Sequence, residues 1–213
     1  MFQVRKDDIM NIKTIQTAGF KPAIIAMRNP MNSWGKGDTV FDTLDTHIGE
    51  KDKELSIKLQ KAGPEHCKHL RMIQVWADIT APLTWWKQFD CYRMGVEKVS
   101  TSTMHKLMSR ELTLDDFEAA NFDCYGGHLM ATVEYLNELI RKYNATEDRD
   151  EKRALWEYAI QILPQSYLQK RTVMMSYAAL RNIYRQREGH KLYDWEYFRR
   201  WVESLPESWM ITE

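Results

Sequence analysis

The chain has 213 residues, which is long enough for one domain with a sizeable hydrophobic core. Its 30 basic residues balance 30 acidic residues, so no overall charge favours nucleic acid or a membrane, and we expect neither as a partner. No apolar run approaches the roughly 18 residues that cross a bilayer, and the first residues lack the apolar core of a signal peptide. We therefore expect a single domain over residues 1–213 in the cytoplasm.

The first patterned segments lie in the N-terminal third of the chain. Residues 20–27 are apolar and precede a stretch rich in turn-forming residues, so we predict a strand that leads into a loop. Residues 52–62 place apolar side chains at helical spacing, and Gly63 follows them as a residue typical of helix ends. This pattern predicts a helix that stops at the glycine.

The clearest predicted strand covers residues 70–79, where apolar side chains nearly alternate along the chain. One interruption near Ile73 indicates a β-bulge. Pro82 ends the strand and suits the first turn of a helix, which we predict from about Leu83 through Tyr92.

Helical patterns dominate the rest of the chain. Thr113, followed by two aspartates, predicts the cap of a short helix, and the acidic stretch 147–151 is typical of a helix start. Pro164 ends that helix, and Asp194 is predicted to cap the last one. The helical stripes cover residues 128–143, 155–162, 165–187 and 194–205. Helices interleaved with a few strands, without repeated strand–helix–strand units, predict an α+β fold.

Cysteine and aromatic usage add two expectations. Cys67, Cys91 and Cys124 are odd in number and form no Cys-x-x-Cys pair, so we expect free thiols rather than disulfides or a zinc ribbon. Cys67 and its neighbours His66 and His69 offer only three ligand candidates, so we expect no metal site. The eight tryptophans and ten tyrosines favour a buried core and an oligomer interface.

Three blocks of the chain carry particular residues at fixed spacings. A strand runs through an Ala-Pro step into the helix predicted from Leu83, a Leu-Pro pair ends a later helix, and polar residues follow farther along. The positions are Ala81, Pro82, Gln88, Arg93, Ala159, Leu163, Pro164, Asn182 and Arg187. Together they resemble the flavin-dependent thymidylate synthase family over roughly residues 60–200. The resemblance implies a small antiparallel sheet flanked by long helices.

The resemblance also implies a reaction, which is reductive one-carbon transfer to C5 of a pyrimidine deoxynucleotide such as dUMP. In that family FAD carries the hydride, methylenetetrahydrofolate donates the carbon and NADPH is the reductant. The protein mainly positions the cofactor. The family further implies a homotetramer whose active sites lie between subunits.

Residue by residue, the resemblance assigns two groups of side chains to the site. The residues implied to bind the nucleotide are Gln88, Arg93, Thr101, Thr103, Asn182 and Arg187. Those implied to lie near FAD are His66, Tyr92 and Ser176. Tyr92 or Trp86 offers an aromatic face on which flavin could stack.

Several cationic positions of the family are occupied here by other residues, namely Cys91, Thr103, Ile160 and Ala178. A thiol or hydroxyl cannot replace the charge-assisted contact of an arginine. Two alternatives therefore stay open beside the enzyme. One is a non-catalytic or structural homologue that has lost FAD binding, and the other is an enzyme with a different nucleotide substrate. The hydroxyl-rich run 100–103 is equally explained by helix capping, and Arg187 by an ordinary solvated arginine.

Overall fold

The structure is a computed structural model and describes residues 10–41, 46–118 and 126–213. Its strands are β1 (Asn11–Ala18), β2 (Val40–Phe41), β3 (Thr46–His47), β4 (Gln74–Pro82), β5 (Val96–Ser100) and β6 (Leu168–Ser176). Its α-helices are α1 (Phe20–Met27), α2 (Glu50–Ala62), α3 (Leu83–Phe89), α4 (Thr103–Lys106), α5 (Gly126–Ala145), α6 (Arg149–Ile162), α7 (Tyr177–Gln186), α8 (Tyr193–Glu203) and α9 (Trp209–Thr212). Short 3₁₀ helices include Lys68–Arg71 and Leu114–Asp116. Cys124 lies outside the described residues.

The sheet confirms the predicted α+β class. β1, β4, β6 and β5 form a four-stranded antiparallel sheet in that order, and β2 pairs with β3 in a separate antiparallel ribbon. At one end of the β4–β6 pair the Tyr177 amide donates to the Ile73 carbonyl, and at the other end the Leu83 amide donates to the Tyr167 carbonyl, both at 3.0 Å. The small sheet and the long helices α5 and α6 agree with the architecture that the resemblance implied.

Strand β4 begins later than its sequence pattern predicts. Side chains at positions 75, 77, 79 and 81 are fully buried and alternate with partly exposed ones, which is the period of a strand. Leu70 instead lies in a 3₁₀ helix, and both Leu70 and Ile73 are buried. Their three-residue spacing is that of a 3₁₀ turn, so the apparent bulge is the junction between turn and strand.

Residues 20–27 form a helix, so the predicted strand was wrong. Ala23, Ile24 and Met27 are the buried side chains, which is a helical spacing. Gly19 precedes them with φ of 101°, and its carbonyl accepts the first helical hydrogen bond from the Ala23 amide at 3.1 Å. A Cβ on Gly19 would lie 2.1 Å from the main-chain oxygen of Met72. The chain enters α1 through a conformation and a gap that only glycine tolerates.

The predicted helix over residues 165–187 is also wrong, because its first half is strand β6. Gln169, Val173 and Met175 are buried on alternating positions of that strand. Ser176 then caps α7, since its hydroxyl accepts a hydrogen bond from the Ala179 amide at 3.2 Å. Residues 165–187 therefore contain a strand followed by a helix, whose apolar residues repeat at different spacings. A helical pattern applied to the whole stretch does not show the boundary between them.

The remaining helix predictions differ in their ends. Helix α2 stops at Ala62 before Gly63, as predicted. Helix α6 begins within the predicted acidic stretch, where Asp148 caps it by accepting hydrogen bonds from two amides. Thr113 forms the predicted cap through a capping box with Asp116. Helix α3 ends at Phe89, three residues before the predicted end, and Asp194 lies in the first turn of α8 rather than at its cap.

Contacts group the chain into two compact units, and the first contains Ile79–Cys91 and Val99–Arg171. Its core is an apolar cluster contributed by α5, α6 and the segment that precedes them. A buried polar side chain lies beside this cluster: Oδ1 of Asn137 accepts from the Leu112 main-chain nitrogen at 2.7 Å, and its Nδ2 donates to the Leu112 carbonyl at 3.0 Å. Both main-chain groups of Leu112 are thereby satisfied by one side chain.

The second unit contains Ile12–Asp78, Tyr92–Lys98 and Thr172–Glu213, and it buries an unusual polar helix face. The buried residues of α2 are Asp52, Ser56 and Gln60. Asp52 pairs with the equally buried Arg28 at 2.5 Å and accepts further hydrogen bonds from the Thr39 hydroxyl and from two main-chain amides. Burial alone would raise the pKa of Asp52, but these hydrogen bonds outweigh it and the pKa lies below its usual range.

None of the helices in the described ranges is long and apolar enough to cross a bilayer. Within the same residues, no three His, Cys, Asp or Glu side chains come together as a metal centre would require. Cys67 is a buried free thiol and Cys91 an exposed one.

Candidate functional site

In the second unit, a cationic side chain lies against two aromatic rings. Arg187 follows directly after α7, and its Nε donates to the Tyr92 hydroxyl at 2.8 Å. Its guanidinium carbon lies 4.1 Å from the centroid of the Trp195 ring and 5.3 Å from that of Tyr92. Both distances are typical of cation–π contact. The sequence assigned Arg187 to the nucleotide and Tyr92 to the cofactor, and the structure brings the two into direct contact.

Sequence reasoning missed the other side chains of this cluster. Trp195 is fully buried in the first turn of α8, and the His190 ring lies 6.0 Å from it. Burial, together with the charge of Arg187, lowers the pKa of His190, and its Nδ1 accepts a hydrogen bond from the Leu192 amide at 3.1 Å. No motif in the sequence marks either residue.

Ser176 has a structural task in the same unit. It is 3% exposed, its hydroxyl caps α7, and its amide donates to the Gly95 carbonyl at 2.9 Å. A Cβ on Gly95 would lie 2.5 Å from the Ser176 hydroxyl oxygen, so the two backbones approach as closely as a glycine allows. The hydroxyl therefore faces the helix end and the neighbouring strand.

The other candidates in this unit are on the surface. Asn182 is exposed on α7, and its side-chain oxygen accepts from the Gln186 amide at 3.0 Å. His66 is exposed and lies 3.4 Å from a carboxylate oxygen of Glu65. Arg93 is exposed in the loop between α3 and β5.

Three candidates belong to the first unit. Gln88 is half-buried in the last turn of α3. Thr101 is tied to β6, because both its amide and its hydroxyl donate to the Lys170 carbonyl, at 2.9 and 3.1 Å. Thr103 is the first residue of α4, and Ser102 caps that helix by accepting from the His105 amide at 3.2 Å. Capping accounts for part of the hydroxyl-rich run.

A second cation–aromatic pair in the first unit was not predicted. The Arg171 guanidinium lies 4.2 Å from the Trp86 ring centroid and binds Asp90 at 2.8 Å. Its Nε donates to the Gln169 side chain at 3.0 Å. Trp86 is fully buried and donates to the Gln169 carbonyl at 2.9 Å, so it offers no face for flavin. This expectation from the sequence was wrong.

Comparison with solved structures identifies the fold. The chain is similar to thymidylate synthase X from Helicobacter pylori, solved with FAD and dUMP, with a TM-score of 0.75 over 96% of this chain and 98% of that one, at 15% identity. A second structure of the flavin-dependent thymidylate synthase from the same organism, also complexed with FAD and dUMP, has the same TM-score at 14% identity and covers 94% and 97% of the two chains.

These similarities show that the chain has the fold of the flavin-dependent thymidylate synthases, and identity this low shows the fold alone. No protein-family model and no curated protein sequence matches the chain. The fold therefore agrees with the family indicated by the residue spacings, and the chemistry has to be argued from the side chains.

Proposed function

We propose that the protein binds a pyrimidine deoxynucleotide of the dUMP type, with Arg187 as the principal cationic contact. This proposal depends on one observation, which is that the Arg187 guanidinium is fixed in place. The Tyr92 hydroxyl accepts a hydrogen bond from the Nε of Arg187, and the Trp195 ring lies against the face of the guanidinium. Arg187 is half-buried, so part of the group reaches solvent. An arginine held in one orientation loses less side-chain entropy when it binds a phosphate or a base.

Tyr92 and Trp195 act in this proposal as positioning residues. The replacements at positions 103 and 160 leave fewer cations for a nucleotide than the family uses. Arg187 then carries a larger share of the recognition of the phosphate or the base. Gln88, Arg93, Thr101, Thr103 and Asn182 remain proposed nucleotide contacts on the strength of the residue spacings.

The residues proposed to lie near flavin do not fit it in this chain. The Ser176 hydroxyl is buried and caps a helix, the Tyr92 hydroxyl binds Arg187, and His66 lies beside the carboxylate of Glu65. Two of these groups already have hydrogen-bond partners and the third is exposed beside a carboxylate. None can bind the two phosphates of FAD with the paired hydrogen bonds that an arginine would donate. We therefore derive no catalytic step through the flavin.

The second candidate function is reductive one-carbon transfer to C5 of the nucleotide, which would make the protein an enzyme of the thymidylate synthase type. Its support is the fold shared with structures that contain FAD and dUMP. It requires FAD, methylenetetrahydrofolate and NADPH, and it implies a homotetramer with composite sites. A flavin absorption band in the purified protein and a tetrameric mass by light scattering would support it. A colourless monomer would leave nucleotide binding as the function.

The nucleotide proposal predicts a large loss on removing one guanidinium. Arg187→Ala should weaken binding of dUMP by about 2 kcal/mol, or about thirtyfold, because a charge-assisted hydrogen bond is lost. Calorimetric titration with dUMP, dCMP and TMP measures the effect and ranks the bases. Tyr92→Phe should weaken binding less, since Trp195 still holds the guanidinium.

The matched control is Arg200→Ala, which removes an exposed arginine of α8 whose partner is Glu196 at 3.4 Å. It should leave nucleotide affinity unchanged. Equal affinity of Arg187→Ala and the unmodified protein would remove Arg187 from the site. Absence of binding by the unmodified protein to all three nucleotides would overturn the proposed function itself.

A further inference from the structure

A second cationic site lies on α7, before Arg187 in the chain. Arg181 and Arg185 are one turn apart on that helix and face a cavity of about 300 Å³, whose opposite wall is the end of α2. The lining residues are Ile57, Gln60, Lys61, Arg181, Arg185 and Glu213. Three of them are cations and one is a carboxylate, so the cavity has an excess of positive charge.

The two guanidinium groups converge on one oxygen. Nη2 of Arg181 lies 3.3 Å from the main-chain oxygen of Glu213, and Nη2 of Arg185 lies 2.7 Å from the same atom. Two arginine donors aimed at one acceptor is the arrangement that recognises an oxygen of phosphate or carboxylate. In this structure the Glu213 oxygen occupies the point of convergence, and a bound oxyanion would take its place.

Buried polar atoms in the cavity wall lack partners. Gln60 is 6% exposed; its Nε2 donates to the Ser56 hydroxyl at 3.2 Å, and its Oε1 has no hydrogen-bond partner among the described residues. The Nε of Arg181 is buried and likewise has none in the described part of the chain. A buried polar group without a partner is unfavourable, and a ligand that satisfied both would relieve it.

We propose that this cavity is a binding site for the phosphate group of a small molecule, separate from the Arg187 cluster. Arg181, Arg185 and Lys61 bind the phosphate, and the Gln60 side chain turns so that its Oε1, which is covered in this structure, accepts from a hydroxyl group of the ligand. The volume is at the lower end of the range for small-molecule sites, which suits a phosphorylated fragment of a few carbon atoms. Burial, with the charge of Arg185, lowers the pKa of Arg181, and a bound anion would stabilise its charged form.

Calorimetric titration with inorganic phosphate and with glycerol 3-phosphate, at constant ionic strength set with chloride, tests the site. Arg185→Gln should weaken binding of both probes by about tenfold or more, because one of the two converging donors is lost. Arg185 is exposed, so the variant should fold, and its thermal unfolding without ligand checks this. Lys58→Gln, on an exposed position of α2 outside the cavity, is the matched control and should bind as the unmodified protein does.

The two probes distinguish the source of the phosphate. Tighter binding of glycerol 3-phosphate, with the gain lost in Gln60→Leu, would assign the site to an organic phosphate that uses the amide. Equal binding of both would assign it to free phosphate. Failure of both probes to bind, or identical affinities for the Arg185→Gln and Lys58→Gln proteins, would overturn the proposal. Binding of dUMP through Arg187 should be unchanged in Arg185→Gln, so either proposal can fail without the other.

Discussion

Asp52→Asn should lower the free energy of unfolding by about 3–5 kcal/mol, since removing one member of a buried ion pair leaves the other charge without compensation. Arg28 is 6% exposed and Asp52 is 1% exposed, so water cannot replace the lost partner. The asparagine keeps the size of the side chain and part of its hydrogen bonding to Thr39. The loss therefore reports mainly on charge. Urea unfolding followed by circular dichroism measures it.

Glu54→Gln is the matched control, because Glu54 is exposed on the same helix. Its effect should stay within about 0.5 kcal/mol. The double variant Arg28→Met with Asp52→Asn should lose less stability than the two single losses added together, because no charge is then left buried. A stability of Asp52→Asn close to that of Glu54→Gln would show that the pair contributes no more than a surface contact.

Acid should destabilise the protein through one buried imidazole. His69 is 3% exposed, and its Nε2 lies 2.8 Å from the Ser56 hydroxyl. Burial lowers the pKa of His69 from 6.5 to about 4; a main-chain group of His66 opposes this shift, and the charge of Arg181 adds to it. As pH falls below 6.5, His69 binds a proton in the unfolded chain but stays neutral in the folded protein. Stability should therefore drop by about 3 kcal/mol down to pH 4 and then level off for this group.

His69→Gln removes the titrating group and should flatten the slope of unfolding free energy against pH in that window. Carboxylates titrate in the same range, so the comparison is between slopes rather than absolute stabilities. His105→Gln, on an exposed position of α4, is the control and should keep the slope of the unmodified protein. A slope in His69→Gln equal to that of the control would mean that the folded protein binds the proton at His69 as readily as the unfolded chain does.

Helices could be predicted where their own residues show the apolar spacing and the capping residues of a helix. Helix α5 shows its apolar stripe directly, and α6 has an aspartate cap at one end and Pro164 beyond the other. Strand β6 could not be predicted, because its short alternation runs into α7 without a turn residue. Helix α1 could not be told from a strand, because a mostly apolar segment of eight residues suits either period.

The candidate site shows the same division. Comparison of residue spacings with a known family indicated Arg187 and Tyr92 as two separate site residues. Their contact could be seen only in the folded chain. Trp195, His190 and Arg171 belong to no motif, so nothing in the sequence distinguished them from core and surface residues. The buried face of α2 was unpredictable for a related reason. Its residues are polar, and their partners at positions 28, 39 and 69 are distant in sequence.

The two hydrogen bonds between the Asn137 side chain and the main chain of Leu112 join an irregular segment to helix α5. Local unfolding of that segment should therefore depend on motion in the helix. Leu112 lies in irregular chain, where amide protons normally exchange with solvent quickly, yet its amide is buried and bound to a side chain of α5. Exchange at this amide requires Asn137 to move, and Asn137 is fixed in the middle of a 20-residue helix. The Leu112 amide should therefore exchange at the slow rate of the α5 core amides, and Asn137→Ala should release it to the rate of its loop.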